Sequence, residues 1–367
     1  MVDWLSSMQQ TFEYYTVDPG TWKDDKPLTN VKSCTINRDA DADTLGSASF
    51  DITDSLGECY IRVYLVTIQN GVKERHPLGT YLIQTPSSSF DGKYRAVSVD
   101  AYTPLLELKE SPPPIGYFTP ELDDNGKPTV IMDAAYVLVR EHARAPVIKP
   151  ATVSTEDPEY NNRILHYDFV ANTDDTWITF IKDLIATAKH TFALDETGRI
   201  LFSPKQDTAS LQPVWTFDDG DKSILYHDIT MNHDLYGIPN VVEVVYSSGR
   251  NYFHARVVND DPNSPISTVN RGREIIYRET NPSSMGNPTQ LMIEEYATQL
   301  LRDLSTVEYS ISYSHAYCPV RIGDCVRINY ARAGLTDVKA KVISQSIKCE
   351  PGCPVSEKDI FTTKLWG

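Results

Sequence analysis

Four cysteines in the last sixth of the chain, Cys318, Cys325, Cys349 and Cys353, are spaced C-x6-C-x23-C-x3-C. Four thiolates would complete a tetrahedral zinc shell. The short two-residue knuckle is missing from both halves, however, and a six-residue gap is wider than metal-binding pairs usually keep. Along one unbroken strand Cys318 would share a face with Val320 and Ile322, and Cys325 with Arg327 and Asn329, so the two thiols point apart unless Gly323-Asp324 bends the chain. Cysteine is among the most buried residue types, and packing alone accounts for all four. Free, disulfide-bonded and metal-bound forms are all compatible with the spacing; the expectation is packed thiols and no metal site. In "HDITMNHD", His227 and His233 fall on one side of a strand beside carboxylates, yet six residues of strand span roughly 20 Å, too far to share one ion. The aspartates of "WTFDDGDKS" (215–223) surround Gly220 but lack the D-x-D-x-D-G spacing and closing Glu of a calcium loop. The chain contains no GxxxxGK[ST], HExxH or GxSxG. The expectation is a protein without catalytic, cofactor-binding or metal-binding residues.

The bulk composition narrows the class. A chain of 367 residues is long enough for two or three domains. It has 50 acidic against 34 basic residues, a formal charge of −16, which opposes specific nucleic-acid binding because neutralising phosphates needs clustered Lys and Arg. "MVDWLSSMQQTFEYY" carries no positive n-region or apolar run, and no stretch of eighteen apolar residues occurs, so the expectation is synthesis in the cytoplasm without a membrane span. Six cysteines are too sparse for a disulfide scaffold.

The elements follow from periodicity. Residues 28–110 read as strands: Asn70-Gly71 suits a type I′ hairpin turn between "CYIRVYLVTIQ" and "VKERHPLGTYLIQT", and Asp91-Gly92 a second turn before Val97, Val99 and Ala101, which share a face. Three prolines, 112–114, end that unit. A helix is predicted over 130–144 with Ile131, Ala134, Ala135, Leu138 and His142 as its stripe. A second begins after Asp174-Asp175 and carries Trp177, Ile178, Ile181, Leu184, Ile185 and Ala188, followed by a hairpin closed by Asp195 to Gly198. Further strands surround Ser248-Gly249. A late helix over 288–304 has Asn287 as its cap, Pro288 at its first position, and Ile293, Tyr296, Ala297, Leu300, Leu301 and Leu304 buried. Gly323-Asp324 is expected to bend "CPVRIGDCVRINY" into a strand with Val326, Ile328 and Tyr330 inward. The fold class predicted is β-rich α+β: two antiparallel β-barrels with an inserted helix and hairpin. The divisions are a first barrel over 1–110, a Pro-rich linker and helix over 111–165, a helix-plus-hairpin subdomain over 166–210 and a second barrel over 211–367. Gly79 and Gly323 each open a strand in this reading, with Tyr94 and Val338 fifteen residues later beginning the return, a mild sign of duplication.

The order of these parts, with "DDTWITFIKDLIATAKHTFALDETGRILFSP", "IPNVVEVVYSSG" and "CPVRIGDCVRINY", resembles the baseplate hub or tail hub proteins of tailed bacteriophages. That group includes late control protein D and the hub portion of type VI secretion spike proteins. The resemblance covers most of residues 30–367, more closely over 166–204 and 238–367 than over 111–165. It implies a non-enzymatic virion protein: a homotrimer with two similar barrels per chain, the first contacting the tube. Such a trimer seats against a hexameric tail tube or distal tail protein, tapers to a central spike, and has the tape-measure C-terminus as a further candidate partner. It would be assembled in the host cytoplasm and let DNA pass through the ring without specific binding. A distal tail or glycan-binding tail protein is the alternative, and a tail-associated peptidoglycan hydrolase the second, although the chain ends at "FTTKLWG" soon after the second predicted barrel.

Overall fold

The computed structural model describes residues 2–53, 56–90, 95–123, 125–150, 162–248, 251–282 and 288–366. The protein is β-rich, with 47% strand and 15% helix, and its larger sheets are mainly antiparallel. The strands begin with β1 (Gln9–Asp18), β2 (Lys23–Leu28), β3 (Val31–Asp39), β4 (Gly46–Ile52), β5 (Tyr60–Gln69), β6 (Val72–Phe90) and β7 (Arg95–Tyr102). The β5–β6 hairpin turns as expected: Gln69 pairs with Val72, and Asn70 and Gly71 take φ of 53° and 78°, both positive as a type I′ turn requires. The turn expected at Asp91-Gly92 lies outside the described residues. On β7, Val97, Val99 and Ala101 are buried while Ser98 and Asp100 are exposed, the alternation of a strand with one face on a core. Gly79 does not open a strand. It lies inside β6 where the register with β5 shifts, so its match to Gly323 is not a match of strand starts; Tyr94 lies outside the described residues.

The middle of the chain supplies α1 (Leu106–Glu110), β8 (Phe118–Thr119), α2 (Ile131–His142), β9 (Phe169–Val170), α3 (Trp177–Thr187), β10 (His190–Leu194) and β11 (Ile200–Pro204). On α2 the buried residues are Ile131, Met132, Ala135, Leu138 and Val139, while His142 stacks on Trp177 with centroids 4.0 Å apart. On α3 the expected stripe is buried together with Phe180. The Asp174 and Asp175 carboxylates would suit the orphan N–H groups of its first turn, but the cap is Thr176, which forms a capping box with Thr179, while Asp175 accepts from the Asn172 N–H and the Thr179 hydroxyl. One core joins Trp22, Tyr60, Leu82 and Leu105 to the buried faces of α2 and α3, so the inserted α+β piece shares its interior with the first strands.

After β12 (Trp215–Asp218) and β13 (Leu225–His233) come β14 (Val241–Ser248), β15 (Asn251–Val258), α4 (Thr268–Arg271), β16 (Ile276–Thr280), α5 (Gln290–Leu304), β17 (Thr306–Ala316), β18 (Cys325–Tyr330), β19 (Leu335–Lys348) and β20 (Pro354–Lys364). The large sheet has thirteen strands, ordered β13-β17-β20-β19-β3-β4-β7-β6-β5-β1-β2, with β18 on β19 and β12 on β18. The described pairings trace no closed barrel. Its outer strand β2, "KDDKPL", is blunted against further pairing by charge and proline.

The chain forms two compact units, Met1–Asp228 with Tyr313–Lys358, and Ile229–Ser312 with Asp359–Gly367. In the second, β14 pairs antiparallel with β15 and parallel with β16. Helix α5 covers one face of this sheet, packing Ile293, Ala297 and Leu301 on Val242, Val244, Tyr246 and Ala255. Its cap is Thr289, whose hydroxyl accepts from the Met292 N–H, rather than Asn287, which lies outside the described residues; Pro288 therefore precedes the cap. On the other face Glu243 sits in register between Arg256 and Arg278, 3.2 and 2.7 Å away. Ion pairing and hydrogen bonding with Arg278, and then with Arg256, hold its carboxyl below the usual range. Among the described residues no helix is long and apolar enough to cross a membrane.

Candidate functional site

The sequence candidates do not converge. Gly323, at φ 90°, bends the chain as expected and β18 starts at Cys325. Val326 and Ile328 are buried, and so are both Cys318 and Cys325, whereas Tyr330, also expected inward, is only partly buried. Because β17 ends at Ala316, the two cysteines do not share an unbroken strand and both turn inward. Among the described residues no group of three His, Cys, Asp or Glu side chains is arranged to hold a metal. The His227 side chain lies outside the described residues; His233 stacks on Tyr309 at 4.8 Å, and Tyr309 on Phe361 at 4.9 Å. Asp218 closes its own turn, accepting from the Gly220 N–H at 3.0 Å. Exposed Tyr252 and Tyr277 fall on opposite faces of the β15-β14-β16 sheet, since Tyr252 pairs with Ser247 and Tyr277 with Val242, so they form no common platform.

Two polar clusters that sequence reasoning missed organise the first unit. The first surrounds Glu357 on β20. Its carboxylate accepts from the Tyr313 hydroxyl at 2.7 Å and the Gln345 amide at 2.5 Å, and faces His315 Nε2 at 3.3 Å. His315 Nδ1 faces the Ala316 carbonyl at 2.8 Å, and Cys318 Sγ is 3.9 Å from the same nitrogen. Arg38 on β3 extends the chain of bonds, donating to Gln345 Oε1 at 3.0 Å and the Leu78 carbonyl at 2.8 Å. A Cys-His-Glu sequence of contacts could in principle serve nucleophilic chemistry. Here the His315 and Glu357 side chains are both 0% exposed, and Phe217 packs on the imidazole at 4.8 Å. So enclosed, these groups satisfy one another's buried hydrogen-bonding capacity and tie β3, β17, β19 and β20 together.

The second cluster converges on one carbonyl. Thr197 lies in the β10–β11 turn, and its oxygen accepts from Trp22 Nε1 at 2.8 Å, Thr80 Oγ1 at 2.9 Å and Arg62 Nη2 at 3.0 Å. Arg62, 5% exposed, also reaches Thr80 Oγ1, the Trp22 carbonyl and Asp24 Oδ1. Arg62 and Thr80 are direct cross-strand partners on β5 and β6. The turn is shaped by Asp195, which accepts from the Thr197 and Arg199 N–H groups, both at 2.9 Å. Burial alone would raise the Asp195 carboxyl, but the Arg199 N–H, the Thr197 hydroxyl and the Arg199 guanidinium together hold it below the usual range. Gly198 follows at φ 77°, and a Cβ there would lie 2.7 Å from Thr80 Cβ. Gly198→Ala therefore combines left-handed strain with a clash and is expected to cost about 2–3 kcal/mol, seen as a lower urea midpoint at unchanged slope. Beside this contact lies a cavity of about 440 Å³ walled in part by Arg38, Thr80, Glu196, Arg321 and Asp324. Glu196 pairs with the Arg321 guanidinium, and Asp324 accepts from the Arg321 backbone N–H.

No protein-family model matches the sequence, and no curated protein sequence does. The fold does have relatives. It is similar to the tail protein of Neisseria meningitidis MC58, at 13% identity and a TM-score of 0.60, over 97% of this chain and 98% of that one. It is similar to the 43 kDa tail protein of prophage MuSo2 of Shewanella oneidensis, at 11% identity and 0.59, over 95% and 98%. A chain of the PdpA–VgrG complex of Francisella aligns at 8% identity and 0.57, over 97% of this chain and 58% of that one. The resemblance to phage tail proteins read from the sequence thus holds at the level of fold.

Proposed function

We propose that the protein is a structural, non-catalytic component of a phage-type tail. In this reading it is a homotrimeric hub that seats on the hexameric tail tube or distal tail protein, receives the central spike, and meets the C-terminal end of the tape-measure protein. The observation that carries this is a likeness to two tail proteins running the length of both chains compared. The pattern of polar groups supports it: the most concentrated ones are buried in clamps between strands, which suits a part that transmits load. Two barrel-like halves per chain, one over 1–110 and one over 211–367, would let three copies present six modules to a sixfold tube. The formal charge of −16 suits a wall past which DNA slides, since carboxylates facing a channel repel phosphates within a screening length of about 8 Å. Assembly would take place in the host cytoplasm before incorporation into the virion.

Native mass measurement of the purified protein tests the reading. Three copies are expected. A stable monomer would overturn the hub, and six copies would favour a distal tail protein.

A further inference from the structure

Apart from both clusters, four thiols pack in one core of the first unit, those of Cys34, Cys59, Cys349 and Cys353. Cys34 lies on β3, Cys349 immediately follows β19, and both pack in one apolar core with Cys353 and Tyr14. The antiparallel register pairs Thr35 with Lys348, which places Cys34 opposite Cys349. The Cys349 N–H donates to the Cys34 carbonyl at 2.9 Å. Opposed residues in a backbone hydrogen-bonded antiparallel pair carry their Cβ atoms on the same face about 5.5 Å apart, so the strands must close by about 1 Å to reach disulfide spacing. Cys34 is 3% exposed, whereas Cys349 is only partly buried, so Cys349 is the member nearer the solvent.

We propose that Cys34 and Cys349 are an oxidation site, at which a low-molecular-weight disulfide converts them into an intrachain cystine that staples β3 to the end of β19. The Cys349 thiolate attacks the external disulfide, forming a mixed disulfide and releasing one thiol. Cys34 then attacks the Cys349 sulfur, forming the cross-strand bond and releasing the second. Two protein thiols are oxidised, one external disulfide is reduced to two thiols, and the two protons leave with them. The neighbouring Cys34 thiol, followed by burial, holds the Cys349 thiol well above its usual range. The first attack is therefore slow at neutral pH and quickens as pH rises. A chain made in a reducing compartment would keep both thiols and acquire the staple only after prolonged exposure to an oxidising medium. The competing partner is Cys353, four residues from Cys349 across a turn closed by the Cys353 N–H on the Glu350 carbonyl at 2.8 Å. Cys353 is fully buried with a φ of 40°, and its thiol is fixed in the core.

The test uses the full-length reduced protein incubated with oxidised glutathione at mildly alkaline pH. The expected result is an intact mass lower by two hydrogens, a non-reduced peptide map joining Cys34 to Cys349, and a Tm higher by several degrees that reductant reverses. Cys34→Ser should abolish the mass change and the Tm shift, and Cys353→Ser should keep both. An unchanged mass, a glutathione adduct that persists at Cys349, or a map joining Cys349 to Cys353 would each overturn the proposal. The peptide map of the unaltered chain decides the question even if a variant folds poorly, and its outcome is independent of whether the protein is a tail hub.

Discussion

Glu357→Ala is expected to cost about 3–5 kcal/mol, because removing one partner of a buried charged network leaves the others unsatisfied. Three groups lose their acceptor: the Tyr313 hydroxyl, the Gln345 amide and the His315 ring. None of them can turn to water, since His315 is fully enclosed and Gln345 is 3% exposed. Glu357→Gln keeps the shape and one acceptor oxygen, and its loss should be nearer about 1–2 kcal/mol. Urea unfolding of both variants checks the order. Equal, small losses would mean that apolar packing alone sets the register of β20 against β17 and β19.

Arg62→Ala is the second large effect, expected at about 2–4 kcal/mol for a mostly buried guanidinium whose acceptors are then left bare. The loss is not spread evenly. Arg62 holds the Thr197 carbonyl, the Trp22 carbonyl and Asp24 at once, so the β10–β11 turn should loosen before the sheet does. Limited proteolysis should then cut the variant within 195–198 under conditions that leave the parent intact. Arg62→Lys should rescue little, because one ammonium cannot reproduce a planar fork that addresses several acceptors. A variant that stays uncut while losing stability would show that Arg62 supports the sheet alone.

What was legible in the sequence is what neighbouring residues encode. The positive φ demanded at Asn70-Gly71, the 3.6-residue stripes of α3 and α5, and the bend at Gly323 are written within a few positions of where they act. The helix caps were misread because several polar residues crowd each start, and the choice depends on side-chain geometry: Asp175 faces Thr179 while Thr176 takes the cap. Neither polar cluster left a local signal. Arg62 and Thr197 are 135 positions apart, and Arg38 and Gln345 are 307 apart. A buried arginine has no periodicity that sets it apart from an exposed one in the same strand, so only the pairing of β5 with β6 and of β3 with β19 discloses them.

That last pairing governs the order in which the molecule can be made. β19 lies against β18 along its first half and against β3 along its second, and Ser346 bonds to Asn37 across 309 positions. Closing so wide a loop is slow and comes late. Until a ribosome has synthesised β19, β3 emerges with one side bare and open to mispairing.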